Sequence, residues 1–414
     1  MQYHSTISHC NDANLQDAII QTVASDSGLL MPDSIPVIPR AIIATFPEMQ
    51  LADIAYFIAA TLFGQDMELD DIRRITLKTY SHSIPLIKLD KSISALELWH
   101  GPTGTAKDFE VEFLAGMLEC LAINKGKQIK ILATATSNAA KAIVNTYANR
   151  NGFSAILLVP RIGANSKHID SNSHTAQNIK FIDVRGTKHQ CHRLVLEALN
   201  DTDFQKHNCF TAASTLNIGA LLPQIIHFFY GYSRAVAQGA HPQQVVFSIP
   251  CNNLAGLTAA VMAKRMGLPV KRIIAAGNST FHLSQYLESG IYPCPAIDRS
   301  LPYALEASQP TNLPRIKELL NESQTSVYHD ITAQSYDDEE IANAIITAQC
   351  SMHYDLDSHS ACALKALTDS ISEGESGIIL STNNPFPQHK NIRHPAIDPI
   401  APSYAVLKQI LSNC

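Results

Sequence analysis

Residues 97–109 read Glu-Leu-Trp-His-Gly-Pro-Thr-Gly-Thr-Ala-Lys-Asp-Phe, and this stretch is the most informative in the chain. Its glycines, proline and threonines predict a turn that delivers Lys107 to the first turn of a helix. The positive end of the helix dipole disfavours a cation there, so the position favours a neutral amine. A neutral lysine amine attacks aldehydes and forms Schiff bases. The stretch therefore predicts a reactive lysine, with a solvated and inert lysine in an ordinary turn as the alternative.

Downstream of this turn the chain alternates predicted strands and helices. Apolar residues at four-residue steps predict a helix from the lysine to about residue 122, on the face formed by Phe109, Phe113, Met117 and Leu121. Strands are predicted at 129–135, 154–160, 179–184, 245–249, 270–275 and 377–381, and helices at 139–149, 188–199, 257–265, 338–350 and 359–371. Such alternation implies parallel sheets with helices on both faces.

The first 90 residues follow a different pattern, because helical spacing of apolar residues dominates at 15–23, 51–64 and 70–80. Ser27 to Pro32 predicts a turn between helices. We therefore expect three domains: a mostly helical N-terminal domain over 1–92, a smaller α/β domain over 93–225 and a larger α/β domain over 226–414.

The composition argues against several classes of protein. The net charge of −6 and the scattered basic residues indicate no nucleic-acid surface. No run of 18 apolar residues occurs, and the N-terminus lacks the features of a signal peptide, so we expect a cytoplasmic protein without a membrane span. Nine cysteines without a C-x-x-C spacing fit a reducing compartment, and 17 histidines without a metal-binding spacing predict no metal. A monomer or a homodimer acting on a small molecule is expected.

A second loop has the position of an anion site. Pro250 to Gly256 lies between a predicted strand and a predicted helix, with the sequence Pro-Cys-Asn-Asn-Leu-Ala-Gly. Free backbone N–H groups and the helix dipole hold phosphate esters at such junctions. An ordinary strand-to-helix loop is the alternative.

These segments together resemble the threonine synthases, a family of fold-type II pyridoxal-phosphate enzymes. Residues 97–109 resemble the family's ELFHGPTLAFKDF-type segment, and residues 250–259 align without gaps on its P-[ST]-G-N-F-G-[ND]-L-T-A loop. Residues 380–385 and 304–315 resemble two further family segments. The resemblance implies a tryptophan synthase β-like fold, with two parallel-sheet α/β domains, a helical N-terminal domain and the cofactor in the cleft between the α/β domains.

The resemblance also implies roles for individual residues. Lys107 would carry pyridoxal 5'-phosphate as a Schiff base, Thr382 would face the ring nitrogen and Asn138 would lie beside the 3-oxygen. The cofactor phosphate would bind Asn253 and the backbone of Cys251, Asn252, Leu254, Ala255 and Gly256. Substrate contacts are expected from Thr136, Ser137, Asn138, Arg161 and Arg315, and either arginine could instead form a structural ion pair.

The sequence departs from the family pattern in both loops. Asn252 and Ala255 replace two glycines of the phosphate loop, and a left-handed backbone at Ala255 would cost about 1–2 kcal/mol. Alanines also replace polar or glycine positions near Ala139 and Ala140. The implied reaction is conversion of O-phospho-L-homoserine and water to L-threonine and phosphate. A related β/γ-elimination on another phospho- or hydroxy-amino acid, and a non-catalytic paralogue that binds cofactor or metabolite, are the alternatives.

Overall fold

The computed structural model describes residues 1–123, 126–135, 137–161, 176–293, 310–321, 330–386 and 399–412. The strands, in chain order, are β1 (Gln2–Ser5), β2 (Asn11–Asn14), β3 (Leu30–Pro32), β4 (Leu86–Lys88), β5 (Ile93–Glu97), β6 (Ile129–Thr134), β7 (Phe153–Pro160), β8 (Ile179–Val184), β9 (Phe210–Thr211), β10 (Val245–Pro250), β11 (Arg272–Asn278), β12 (Ile331–Tyr336) and β13 (Ser376–Ser381).

Helices connect and cover these strands. In chain order they are α1 (Leu15–Gln21), α2 (Arg40–Ile43), α3 (Leu51–Phe63), α4 (Leu69–Thr79), α5 (Lys107–Leu121), α6 (Ser137–Tyr147), α7 (Lys188–Asn200), α8 (Thr202–Asn208), α9 (Ile218–Leu221), α10 (Ile225–Ala237), α11 (Ala255–Arg265), α12 (Leu283–Ser289), α13 (Leu313–Asn321), α14 (Asp338–Met352), α15 (Ser358–Ser370) and α16 (Tyr404–Leu411), with 3₁₀ turns at Phe46–Glu48 and Leu222–Gln224.

Three sheets organise the described residues. A six-stranded sheet has the order β12-β11-β10-β13-β5-β4 and is parallel except for the antiparallel pair β4–β5. A four-stranded parallel sheet has the order β8-β7-β6-β9. The third sheet, β2-β1-β3, is small and antiparallel and lies at the N-terminus. The predicted fold class is therefore confirmed, with two separate parallel sheets flanked by helices.

The N-terminal part contains more than the predicted helices. The helices expected at 15–23, 51–64 and 70–80 are present as α1, α3 and α4. The small sheet was not predicted, and the expected turn at 27–32 is corrected because Leu30–Pro32 forms β3 against β1. A three-residue strand is too short to give a periodic signal in the sequence.

The predicted domain boundaries do not coincide with the sheets. The six-stranded sheet takes β4 from the expected first domain, β5 from the second and β10–β13 from the third. The chain also returns at its C-terminal end to the four-stranded sheet, where Ile400 forms a bridge to Val184. The boundary at residues 92 and 93 is therefore corrected: it falls between two paired strands of one sheet.

Helix α5 joins the N-terminal helices to the rest of the molecule. Its predicted apolar face is buried, with Phe109 stacked on Tyr80 at a centroid distance of 5.4 Å and Phe113 against Phe63 at 5.8 Å. This packing fixes the helix whose first residue is Lys107. Within the described ranges, no helix combines the length and the apolar composition needed to cross a membrane.

Candidate active site

The turn before α5 is held by one buried carboxylate. Asp108 accepts hydrogen bonds from the Thr103 backbone N–H at 2.9 Å and from its hydroxyl at 2.7 Å. A Cβ at Gly101 would lie 2.5 Å from Asp108 Oδ2, and Gly104 has a φ of +74°, so both positions require glycine. The Gly-Pro-Thr-Gly run thus folds around Asp108 and fixes the start of the helix.

The same turn is fastened to the end of β13. The Ala106 N–H donates to the Thr382 carbonyl at 2.8 Å, and the Leu98 N–H donates to the Ser381 carbonyl at 2.8 Å. Lys107 therefore lies beside the carboxyl end of a central strand of the six-stranded sheet. Ligands of open parallel sheets bind at this edge.

Lys107 has an anionic neighbour that the sequence analysis did not foresee. Its Nζ donates to Glu110 Oε2 at 3.1 Å, one helical turn further on, and the two side chains are 33% and 11% exposed. The sequence predicted an uncharged amine, whereas the structure places a carboxylate within ion-pair distance of Nζ. A carbonyl compound that reacts with the amine has to displace Glu110 from Nζ.

A cavity of about 250 Å³ brings most of the predicted site residues together. Its lining includes Lys107 and Glu110, Asn138 at the start of α6, residues 252–256 of the loop after β10, and Thr382. It also includes four polar side chains to which the sequence analysis assigned no site role: Lys188, Gln224, His227 and His359. The cavity therefore lies between the two parallel sheets, as expected of a cleft.

The loop after β10 uses several of its own donors internally. The Cys251 N–H donates to the Ala276 carbonyl at 2.7 Å, the Asn253 N–H to Asn252 Oδ1 at 2.5 Å, and the Ala255 N–H to Asn253 Oδ1 at 3.1 Å. Burial raises the pKa of the Cys251 thiol to about 12, and Cys251 is not among the cavity-lining residues. The N–H groups of Cys251, Asn253 and Ala255 are thus engaged within the protein, and their binding of a phosphate stays a prediction.

The left-handed residue of this loop is Leu254, with a φ of +62°. Asn252 and Ala255 are not among the residues with positive φ, so the expected cost of a left-handed alanine does not arise. Leu254 begins α11 without a side-chain cap. The first turn of a helix carries N–H groups without intrahelical partners, and its dipole attracts anions. The start of α11 thus keeps the character of an anion site.

A hydrogen-bond chain crosses the cleft from one sheet to the other. Asn138 Nδ2 donates to Asn383 Oδ1 at 2.9 Å, and Asn383 Nδ2 donates to Asp357 Oδ2 at 2.9 Å and to Thr382 Oγ1 at 3.3 Å. Asn138 and Thr382, predicted to contact the same ring, therefore lie on opposite sides of one connected polar network.

The two predicted arginines do not line the cavity. Arg315 is completely buried and donates to the carbonyls of Leu30, Thr215 and Leu216 and to Asn312 Oδ1. Arg161 forms an ion pair with Asp183 at 2.6 Å. Both arginines therefore have structural contacts here, and their contact with substrate stays a prediction. Thr136 lies outside the described residues, and of Ser137 only the backbone, at the start of α6, is described.

Two cavity-lining polar atoms have no protein partner within the described ranges. They are Gln224 Nε2 and His227 Nε2, both buried. Burial lowers the pKa of His227 to about 3, so its ring is neutral at physiological pH. Buried polar atoms normally find a hydrogen-bond partner, and a bound ligand supplies one. The spacing of three residues between them, at the junction into α10, was visible in the sequence, but the facing cavity was not.

The donor set fits a phosphorylated aldehyde. The cavity lining contains the Lys107 amine, here called the lysine end, and the start of α11, here called the anion end. Gln224 and His227, each with a buried side-chain nitrogen that has no partner within the described ranges, belong to the same lining. An amine is the group that captures an aldehyde, and a helix N-terminus is a suitable site for a phosphate ester.

Comparisons with solved structures define the class of fold. The structure matches maize serine racemase with a TM-score of 0.52 at 13% identity, covering 83% of this chain and 96% of that one. It matches the threonine synthase of Escherichia coli with a TM-score of 0.90 at 24% identity, covering each chain completely. It also matches the threonine synthase of Brucella melitensis, solved with PLP bound, with a TM-score of 0.84 at 21% identity, covering 100% and 99% of the two chains. The architecture is that of the fold-type II pyridoxal-phosphate enzymes.

Sequence comparisons show which of these enzymes the chain is similar to. A family model described as the threonine synthase N terminus matches residues 2–80. The E. coli threonine synthase is 27% identical over 389 residues, covering 93% of this chain and 89% of that protein. The enzyme of Serratia marcescens is 28% identical over 386 residues, with coverages of 93% and 88%. Over most of its length the chain is similar to threonine synthases.

Proposed function

We propose that this protein converts O-phospho-L-homoserine and water to L-threonine and phosphate, with pyridoxal 5'-phosphate as its cofactor. The observation that carries this proposal is the cavity that holds the Lys107 amine together with the start of α11. The relatives over most of the chain are threonine synthases, and one structural neighbour was solved with PLP bound.

The cofactor would be held by groups from both sheets. Lys107 would hold the aldehyde carbon, and the N–H groups at the start of α11 would hold the phosphate. Thr382 would hold the ring nitrogen, and Asn138 would hold the ring oxygen. A hydroxyl cannot keep that nitrogen fully protonated, which suits elimination and replacement better than transamination. When bound, the cofactor supplies an electron-accepting ring that stabilises negative charge developing next to the substrate's amino group.

The protein's own task is to move protons in the right place. With the cofactor bound, the Lys107 amine would act as the base and acid at the substrate's Cα and Cβ. Glu110, 3.1 Å from Nζ, would position this amine and pair with it. Phosphate leaves from Cγ and water adds at Cβ.

A cation is needed for the substrate's phosphate, because the two arginines expected there are held in structural contacts. Lys188 lines the cavity at the start of α7. Its position at the helix N-terminus adds backbone donors to its own charge. We assign the substrate phosphate to this end of the cavity.

The direct test is reduction of the PLP-loaded protein with borohydride, followed by peptide mass mapping. The expected result is a pyridoxyl adduct on Lys107. Lys188→Ala is the matched control, because it removes another amine from the same cavity and should leave the adduct in place. An unmodified Lys107 in the loaded protein overturns the cofactor assignment.

The reaction is tested separately, by phosphate release and threonine formation from O-phospho-L-homoserine. Phosphate release from O-phosphothreonine, or turnover of serine, with none from O-phosphohomoserine, overturns the proposed substrate and supports a related elimination. A loaded protein that turns over none of the three is a binding protein. A related elimination and a purely binding role are both included because side chains of the loop after β10 already occupy some of its N–H groups.

The setting we propose is the cytoplasm, with a monomer or homodimer acting on a small phospho-amino acid. The described cysteines are all free thiols, which fits a reducing compartment.

A further inference from the structure

A second cluster of ligating side chains lies outside the cleft, at the N-terminal sheet. His4 in β1, His9 in the turn that follows and Glu318 in α13 place one ligating atom each within 4.8 Å of one another. We propose that these three residues form a binding site for a divalent transition metal ion, and specifically for Zn²⁺. The histidine spacing gave no sign of it, because one of the three ligands comes from a helix about 300 residues further along the chain.

The distances between the ligating atoms match a zinc site. His4 Nε2 lies 2.8 Å from Glu318 Oε1, and His9 Nδ1 lies 3.8 Å from Glu318 Oε2. Tetrahedral zinc with bonds of about 2.0–2.1 Å places its ligands about 3.3 Å apart. The two histidine-to-carboxylate separations therefore differ from this value by about half an ångström each.

His4 is oriented in the way that metal-bound histidines are. Its Nδ1 is 2.8 Å from Asp33 Oδ1, so this nitrogen donates its proton to a carboxylate. The Nε2 atom lies within hydrogen-bond distance of Glu318 Oε1, at 2.8 Å, so an ion bound between them would replace the proton that Nε2 donates to this carboxylate. Most metal-ligating histidines use the second ring nitrogen in this manner, and the carboxylate partner fixes the tautomer and the ring.

Glu318 supplies an independent sign of a missing ligand. Its side chain is only 6% exposed, and its Oε2 has no hydrogen-bond partner within the described ranges. A buried carboxylate oxygen without a partner is costly, and a cation removes that cost. The oxygen lies toward His9 Nδ1 but too far away for a hydrogen bond, which is where a bridging ion would lie.

The chemistry of the ligands selects the ion. Two imidazoles and one carboxylate suit zinc and its neighbours among the transition metals, whereas calcium and magnesium prefer oxygen ligands alone. Three protein ligands leave a fourth position for water, which the exposed side of His9 can accommodate since that side chain is 62% exposed.

The ion would fasten α13 to the N-terminal sheet. Arg315 in the same helix already donates to the Leu30 carbonyl in β3, and the Asn312 N–H just before the helix donates to the Asn253 carbonyl in the loop after β10. The proposed site therefore strengthens a connection that runs from the N-terminal sheet to the anion end of the cleft.

The test is a Zn²⁺ titration of the full-length protein after chelator treatment and removal of the chelator, followed by calorimetry. We expect one Zn²⁺ per chain, with binding lost in His9→Asn and Glu318→Gln. Asp33→Asn keeps all three ligands and should weaken Zn²⁺ binding by about 10–100-fold, as expected for a partner that only orients a ligand. Because His9 is exposed, His9→Asn should leave the far-ultraviolet circular dichroism unchanged.

Two controls separate this site from adventitious binding. His207→Asn replaces another exposed histidine, and Cys10→Ser removes the thiol next to His9; both should bind Zn²⁺ as the wild type does. Co²⁺ in place of Zn²⁺ should give a visible spectrum without a thiolate charge-transfer band. The proposal is overturned by absence of saturable binding, by wild-type affinity in His9→Asn, or by loss of binding in Cys10→Ser alone.

Discussion

The two ends of the cleft are built differently. At the lysine end, Asp108 accepts the hydrogen bond of a turn N–H, and the Lys107 amine donates to Glu110, which also lines the cavity. At the anion end, the side chains of Asn252 and Asn253 occupy backbone donors of their own loop. The lysine end is ready to react once one ion pair is broken, whereas part of the anion end must first exchange hydrogen bonds. Departures from the family sequence lie in this phosphate loop and also near Ala139 and Ala140.

The largest effect should come from removing the amine. Lys107→Ala should abolish the visible absorbance of lysine-bound cofactor and lower turnover by at least about 10²–10⁴-fold, since both the attachment point and the proton-transfer group are lost. Lys188→Ala should retain the absorbance. If Lys107→Ala keeps the wild-type absorbance, the cofactor is attached to another residue, and the lysine end is not the reactive end.

The next effect tests whether water is excluded from the buried side chain of His227, which lines the cavity. His227 packs against Phe109, and burial lowers its pKa to about 3 from the usual 6.5. The unfolded chain therefore binds a proton between pH 6.5 and 3 that the folded protein does not, so His227 lowers stability as the pH falls through that window. The wild type should lose about 1–2 kcal/mol more than His227→Asn between pH 6.5 and 5.

Urea unfolding at several pH values measures this difference. His207→Asn removes an exposed histidine and should follow the wild type. If the free energies of unfolding of the wild type and of His227→Asn change in parallel with pH, water reaches His227 in the cavity lining.

A smaller effect addresses the anion end. Asn252→Ala removes the oxygen that occupies the Asn253 N–H and leaves this donor for a phosphate. A hydrogen bond to a charged group contributes about 1.5–3 kcal/mol. Rearranging the loop costs part of this free energy, so we expect PLP to bind about tenfold more tightly. Fluorescence titration with PLP gives the affinity. Weaker binding in Asn252→Ala would show that the asparagine side chain itself holds the phosphate.

The smallest effect concerns the ion pair. Glu110→Gln removes the ion-pair partner that an incoming aldehyde has to displace from the Lys107 amine. A partly exposed pair contributes about 0.2–1 kcal/mol, so PLP should add to Lys107 about two- to fivefold faster at neutral pH. Stopped-flow absorbance measures the rate. Glu112→Gln, which alters a carboxylate on the same helix that pairs instead with Lys78 and Arg150, is the matched control and should leave the rate unchanged.

Local features of the sequence predicted local structure well. The placement of Lys107 at the first position of α5 followed from turn residues and a four-residue apolar repeat, both of which act within a few positions. The long strands and helices after it followed from the same kind of signal. Leu254 as the left-handed residue could not be predicted, because the family's glycines pointed to its neighbours.

Features that depend on distant parts of the chain were missed. The approach of Gln224 and His227 to the lysine cavity, and the burial of Arg315 among carbonyls from Leu30 and Thr215, need the tertiary structure. The Lys107–Glu110 contact was within reach, since residues three apart on a helix are neighbours. Arg315 lies in a family motif and was therefore predicted to contact the substrate. Because the side chain is buried, its N–H groups bond to acceptors of the protein itself.

The pairing of β5 with β13 has a consequence for how the chain is made. Ile93 lies opposite Gly377, about 280 residues later in the sequence. At roughly 5–20 residues per second, a ribosome needs roughly 15–60 s to deliver the second strand after the first. During synthesis one edge of β5 stays unpaired until β13 has been translated.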